Sequence, residues 1–286
     1  MQIIEKVSEL LAYVEKGKQT GLKTGLVPTM GALHEGHLSL VRRSRQDNDV
    51  TIVSLFVNPT QFNNPEDLAT YPRQPEEDFK LLAREGVGIV FAPTEQDIYP
   101  DGFDKTRKFE LGRLSEVMEG KYRPGHFQGV ALVVNRLFQL CRPTRAYFGM
   151  KDFQQVAVIS EMVRRDGLDV QIVPCPIVRE ESGLALSSRN QLLNPEQKKE
   201  AASIYAVLKE SIEYSADHSV KETIDLVCRT LNSKEDFKVE YFEIVDGQTL
   251  MPVETWDEAE YVMGCITVYV GKVRLIDNIQ YRGNDY

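Results

Sequence analysis

Two of the chain's four histidines, His34 and His37, lie within one turn of each other. They sit in LVPTMGALHEGHLSL (26–40), where an apolar run closes at Pro28 and a turn around Gly31 follows. From His37 the apolar positions Leu38, Leu40 and Val41 are set against Arg42, Arg43 and Arg45, as on a helix. A strand, a glycine turn and a helix start aim backbone N–H groups and the positive end of a helix dipole at one point. Such a point holds anions, phosphate above all, and the imidazoles add two side-chain donors. Zinc is the rival chemistry. The metalloprotease spacing H-E-x-x-H puts two residues between Glu and the second His. Here only Gly36 separates Glu35 from His37, and no cysteine cluster completes a shell.

Further polar groups gather at the expected ends of later strands. NPTQF (58–62) closes the apolar run VTIVSLFVN (50–58), so Asn58 and Gln61 face the crevice where open α/β sheets bind ligands. Asn-Pro turn chemistry accounts for Asn58 by itself; Gln61 is harder to explain that way. GMKDFQQ (149–155) repeats the opening arrangement, with Lys151, Asp152 and Gln155 after strand TRAYFG. KYRPGHFQG (121–129) carries two bases and His126 in what reads as a glycine-punctuated loop, a mobile or ligand-covering segment. SGLALSSRNQLL (182–193) is a small-residue loop with one Arg, placed to act as a lid.

The elements that must position these groups follow from periodicity. A first helix runs from a Ser8 N-cap to Lys16, with Gly17 past its end. Lys23–Pro28 is a buried strand, His37–Asn48 a helix, and Val50–Asn58 a strand apolar enough to be covered on both faces. Pro75–Gly86 is a helix with Pro at its start and Gly at its end. Val87–Pro93 is a strand, the stretch to about Gly112 is irregular, and Gly129–Cys141 is a helix. A helix opening at Gly149 and a strand at Asp169–Pro174 complete a Rossmann-like, doubly wound parallel α/β domain over residues 1–180. From 181 to 286 the character changes. Asn194 and Gln197 frame one capping box before a helix of about twenty residues, and Ser219 and Glu222 frame a second before a helix to Asn232. Strand-like runs follow, two of them joined by a Gly271-Lys272 hairpin signal. The second domain is a small α+β unit.

At 286 residues the chain can bury a large core. A net charge of −9 argues against nucleic acid as a partner. The four cysteines, 141, 175, 228 and 265, show no C-x-x-C and read as reduced and structural. The opening stretch has acids and no cleavable apolar core, and no apolar run approaches the about 18 residues of a membrane span. A cytoplasmic protein with no membrane partner is expected.

Four motifs in this order, PTMGALHEGH, FVNPTQF, YFGMKDFQQ and LSSRN, resemble the pantoate–β-alanine ligase family. The likeness spans nearly the whole chain, whereas H-x-G-H alone would point only to a wider superfamily with nucleotidylyltransferases and class I aminoacyl-tRNA synthetases. The resemblance implies that ATP and (R)-pantoate form pantoyl-adenylate, that β-alanine then attacks the acyl carbon, that Mg²⁺ accompanies ATP, and that the protein is a homodimer. It further implies that Met30, Gly31, Ala32, Leu33, His34, Glu35, Gly36 and His37 line the ATP site, with the histidines on the phosphates and His37 as proton donor. Gly149, Met150, Lys151 and Asp152 would bind nucleotide, Lys151 through the phosphates, and Val178 would touch the adenine pocket. Gln61 and Gln155 would hold pantoate, with Gln61 also near β-alanine. Ser187, Ser188 and Arg189 match a serine-rich loop that commonly begins with Met; this chain has Leu186 there, which keeps volume and polarity. Tyr71, Asn58 and Arg123 are further carry-overs, Arg123 towards the phosphates. The alternatives are a nucleotidylyltransferase of the same superfamily and a nucleotide-binding module without chemistry.

Overall fold

The structure, a computed structural model, describes residues 1–102 and 107–283. Residues 103–106 of the stretch read as irregular lie outside it. The chain divides into two compact units, Met1–Gly149 with Gln155–Cys175, and Met150–Gln154 with Pro176–Tyr286.

The first unit is built on parallel strands β1 (Gln2–Ile4), β2 (Thr24–Thr29), β3 (Val50–Leu55), β4 (Ile89–Phe91), β5 (Arg145–Gly149) and β6 (Gln171–Cys175), in spatial order β1-β4-β3-β2-β5-β6. Val27, Ile52, Val53 and Val90 have no exposed surface. That is the pattern of a sheet covered on both faces. The order runs one way from β2 through β3 to β4 and the other way from β5 to β6. The direction therefore reverses between neighbours β2 and β5, which pair at Gly25–Arg145 and Leu26–Ala146. In doubly wound sheets ligands bind at that reversal, beyond the strands' carboxyl ends. The strands leading into PTMGALHEGH and GMKDFQQ are the two that meet there.

Several local expectations need correction. The first helix is Val7–Gln19, with Lys6 rather than Ser8 at its N-cap and no side-chain cap bond. It begins as soon as the chain leaves β1, a three-residue edge strand with only Ile4 buried and therefore no visible periodicity. The expected loop at Lys121–Gly129 is instead a helical turn at Glu119–Tyr122 followed by a helix over His126–Cys141. Gly129 lies inside that helix because a Cβ there would stand 2.3 Å from the Thr60 carbonyl oxygen. Its glycine serves close approach to the NPTQ turn, not chain reversal.

The second unit packs helices Pro195–Ala201, Ser203–Tyr214 and Val220–Asn232 on an antiparallel sheet of β7 (Phe237–Asp246), β8 (Val262–Val270) and β9 (Val273–Arg282). Both capping boxes form as read, at Asn194–Gln197 and Ser219–Glu222. The expected twenty-residue helix is divided at Ala202, which keeps helical backbone angles (φ −59°, ψ −26°). Val270 pairs with Val273 across the Gly271-Lys272 turn, where Gly271 has φ +59°. Ile204, Leu208, Val227, Leu231, Ile266 and Val268 form this unit's core.

Gly129→Ala tests the close approach. Alanine favours a helix interior by about 1 kcal/mol over glycine, yet here the added methyl meets backbone, and overpacking costs about 1–3 kcal/mol. The expected result is a lower urea midpoint for the variant; an equal or higher one would show that the helix and turn separate freely.

Candidate active site

The helix after β2 starts earlier than periodicity indicates, at Glu35, and His34 is its N-cap. The Gly36 N–H donates to His34 Nδ1 at 3.2 Å, and the His34 N–H donates to His37 Nδ1 at 3.3 Å. This is a reciprocal capping box with imidazoles in place of the usual Ser and Glu. The ring centroids stand 4.1 Å apart, tilted by 40°. A ring nitrogen that accepts a hydrogen bond carries no proton, so in each neutral ring the proton resides on Nε2. The cap thereby sets both tautomers and makes Nε2 a donor on both rings. Glu35 turns its carboxylate to Arg42 on the exposed side of the helix.

The turn's backbone amides are largely committed. Ala32 and Leu33 donate to Asp78 Oδ2 and Oδ1 at 2.9 and 2.7 Å, Gly31 donates to Thr29 Oγ1 at 3.3 Å, and the His37 N–H donates to the His34 carbonyl at 2.8 Å. The expectation of several free N–H groups aimed at a ligand is thus replaced by side-chain donors held by a satisfied backbone. Asp78, only 1 % exposed, reaches the turn from the helix Pro75–Arg84. Gly31 (φ +81°) and Ala32 (φ +49°) adopt left-handed backbone there, a conformation glycine takes freely and alanine keeps only where its surroundings impose it. A Cβ on residue 31 would come within 3.0 Å of Asp78 Oδ2. Burial pushes the Asp78 carboxyl above its ordinary value, with the Leu33 and Ala32 amides pulling the other way. By sequence Asp78 reads as one more acid in a helix's first turn. The available signal is its place four residues before the fully buried Leu82, on the core face.

At the end of β3 the turn chemistry read for Asn58 is present. The strand stops at Leu55, and Asn58 caps the short turn Pro59–Gln61, its Oδ1 accepting from the Thr60 N–H and Oγ1–H. Tyr99 donates its hydroxyl to the same oxygen at 3.1 Å, and burial pushes that phenol up to about 12, so it stays a donor. With Oδ1 assigned as acceptor, Nδ2 donates to Gln61 Oε1 at 3.2 Å and to the Gly129 carbonyl at 3.1 Å. Gln61 is oriented in turn: its oxygen is taken and its Nε2 lies 3.2 Å from Met30 Sδ. Met30 and Gln61, expected at ATP and pantoate, are in this way brought together. His126, to which the sequence assigns no role, supports Gln61 from behind. Arg123 Nη1 donates to His126 Nε2 at 3.2 Å, so His126 Nδ1 donates to the Gln61 carbonyl at 2.8 Å. Arg123, expected to reach phosphate, makes this contact and also pairs with Glu119 at 3.4 Å. Gln155 sits half-buried on the first turn of the helix Phe153–Asp166.

Tyr71 is buried at the C-cap of the helix Pro65–Thr70; the remaining candidates belong to the second unit, apart from Gly149 at the end of β5. Lys151 Nζ lies 3.8 Å from Asp152 Oδ1 in a one-turn helix. The small-residue loop is a hydrogen-bonded hairpin: Leu186 donates to the Val178 carbonyl at 3.0 Å, and Arg179 pairs with Ala185. Val178 and Leu186 are therefore neighbours. Ser187 caps the next turn by accepting from the Arg189 N–H at 3.3 Å, and Ser188 is buried. Lys151 and Ser187 face one cavity of about 10 Å³ with Asn190 and Asp277.

The family model for pantoate–β-alanine ligase matches residues 2–280. The chain belongs to the pantoate–β-alanine ligase family. A pantothenate synthetase of Bacteroides fragilis is 51% identical over 282 residues, 99% of each chain, and one of Porphyromonas gingivalis is 50% identical over 281 residues, 98% of this chain and 99% of its own. The crystal structure of pantothenate synthetase from Thermus thermophilus superposes with a TM-score of 0.92 at 43% identity, covering 99% of this chain and all of that one. A pantoate–β-alanine ligase from Francisella tularensis, solved with beta-gamma ATP and β-alanine, superposes with a TM-score of 0.82 at 38% identity, covering 98% of each. The fold is the family's throughout, a parallel α/β unit followed by a small antiparallel one.

Asp78 yields a pH prediction. Its folded-state value is raised above the unfolded one, so its contribution to stability is full below the unfolded carboxyl range and falls as pH climbs through the folded value. An asparagine in its place would stay neutral throughout. The stability of Asp78→Asn relative to wild type, from urea unfolding at several pH values, is expected to improve as pH rises across that window; a flat difference would show that Asp78 titrates as it does in the unfolded chain.

Proposed function

We propose that this chain joins pantoate to β-alanine in two steps driven by ATP. In the first, a pantoate carboxylate oxygen attacks the α-phosphorus of ATP, pyrophosphate leaves, and pantoyl-adenylate forms. In the second, the β-alanine amine attacks the acyl carbon, the amide bond of pantothenate forms, and AMP leaves with the carboxyl oxygen that carried it. The observation that carries the chemistry is the histidine capping box, which fixes an Nε2–H donor on both His34 and His37 beyond β2 in a chain matching the family from residue 2 to 280.

Each role follows from its charge demand. The attacking group is a carboxylate, and an Arg partner would withdraw the electron density it needs. Gln61 orients it without that penalty, because Asn58 occupies Gln61 Oε1 and leaves the amide nitrogen as the group presented; Gln155 is the second such amide. On the phosphate side negative charge builds on the departing pyrophosphate, and donors and cations stabilise it. His34, His37, Lys151 and Arg189 supply that function, with His37 giving a proton from Nε2. Met30 to Gly36, Gly149, Met150, Asp152, Val178 and Leu186 to Ser188 enclose the nucleotide. Among the described residues no three His, Cys, Asp or Glu side chains gather as a metal cage. Mg²⁺ accompanying the triphosphate would neutralise phosphate charge. The acyl-adenylate must be kept from water until the amine arrives, a task assigned to Ser182–Asn190. A homodimer in the cytoplasm completes the proposal. Among the described residues no helix is long and apolar enough to cross a membrane.

The test is incubation with ATP, pantoate and β-alanine. Free AMP that requires both co-substrates supports the ligase; an adenylylated end product would indicate a nucleotidylyltransferase, and no turnover a binding module. His37→Ala and Lys151→Ala are each expected to keep the fold and slow pyrophosphate release with pantoate by about 10²–10³, the usual effect of removing one transition-state donor. A near-wild-type rate in either would remove that residue from the phosphate site.

A further inference from the structure

Lys151 stands in the five residues, Met150–Gln154, that pack with the second unit although the chain on both sides belongs to the first. The Asn278 side chain ties their backbone to β9. It donates from Nδ2 to the Met150 carbonyl at 2.8 Å and to the Lys151 carbonyl at 3.0 Å. Both amide hydrogens are used, and the residue is 4 % exposed. Asn278 is itself fixed from behind. Its N–H donates to Asp277 Oδ1 at 2.8 Å, and Asp277 receives Arg179 as a fork at 2.7 and 2.9 Å. The Arg179 guanidinium lies 3.7 Å over the Tyr205 ring and gives a further bond to the Gly183 carbonyl at 3.2 Å. A buried, bidentate pair of this kind is geometrically stiff. The stiffness is passed through adjacent residues to the peptide carbonyls of Met150 and Lys151.

We propose that Asn278 is a positioning residue for adenylate formation, holding the Met150–Lys151 backbone so that the Lys151 ammonium meets the phosphates of ATP. The inference rests on the reading of Lys151 given above. Lysine is a compact charge on a flexible stem, so the origin of the stem decides where the charge is found. An error of about 1 Å at such a group costs on the order of 10²-fold in rate. The anchoring comes from a residue 127 positions later in the chain than the lysine it serves. Arg179, Asp277 and Tyr205 act one step further back.

A double-mutant cycle separates positioning from a merely structural role. Pyrophosphate release is measured in single turnover with saturating ATP and pantoate, for wild type, Asn278→Ala, Lys151→Ala and the double variant, with urea unfolding confirming that each is folded. Asn278→Ala is expected to slow the step by about 10–10² with Lys151 present and by less than about twofold in the Lys151→Ala background, because groups acting as a unit are not additive. Asn278→Ser, which keeps one donor and little bulk, should fall between wild type and alanine and serves if the alanine variant does not fold. Equal slowing in both backgrounds, or a wild-type rate in Asn278→Ala or Asn278→Ser, overturns the proposal. Wild type turning over in the same assay keeps either result distinct from a failure of the ligase reading.

Discussion

A helix start leaves several backbone N–H groups that need acceptors, and much of the first unit is arranged around that need. The turn after β2 is answered by four side chains, Thr29, Asp78, His34 and His37. Asp78 closes the left-handed bend at Gly31 and Ala32, and the histidines close the first helical turn. The two jobs differ in chemistry. A carboxylate serves the buried bend because it accepts twice and its position is set by a packed helix. Imidazole serves the helix start because it accepts through one nitrogen while the other remains a donor. Sheet order then brings this turn beside the end of β5, where strand direction reverses.

The Asn58–Gln61 pair follows the same logic at the end of β3. The role proposed for Gln61 needs its nitrogen presented, and nothing intrinsic to glutamine decides which end it shows. Thr60 and Tyr99 set Asn58, and Asn58 sets Gln61. His126 and Arg123 hold the Gln61 backbone from the other side. Each buried polar atom in this sequence of contacts has its partner, the condition under which a polar network specifies one arrangement rather than several.

Much of this is visible in the chain itself, for definable reasons. β2, β3 and β5 are apolar runs bounded by turn residues, the capping boxes at Asn194 and Ser219 are local patterns, and the Gly271-Lys272 hairpin is two residues long. Each is set by neighbours in sequence. What escapes is set by distance. Asp78 resembles any first-turn acid until its contact 45 residues back is known. Gly129 looks like a loop residue because the Thr60 carbonyl that requires it lies elsewhere in the chain. Asn278 sits in an ordinary strand, and its two acceptors precede it by more than a hundred residues. β1 is too short to carry a period. Motif spacing locates Lys151, His34 and Gln61, whereas the residues that hold them have no local signature.

The histidine cap also has a consequence for how this chain can vary. Asn, Asp and Ser are the strongest N-cap residues, and histidine is not among the preferred ones. A helix that opens on His34 therefore starts less firmly than its sequence could allow, and the replacements that would tighten it remove an imidazole. Selection for thermal robustness and selection for the role proposed for His34 pull this one position in opposite directions. Stabilised descendants of this enzyme should gain their ruggedness almost anywhere else in the molecule.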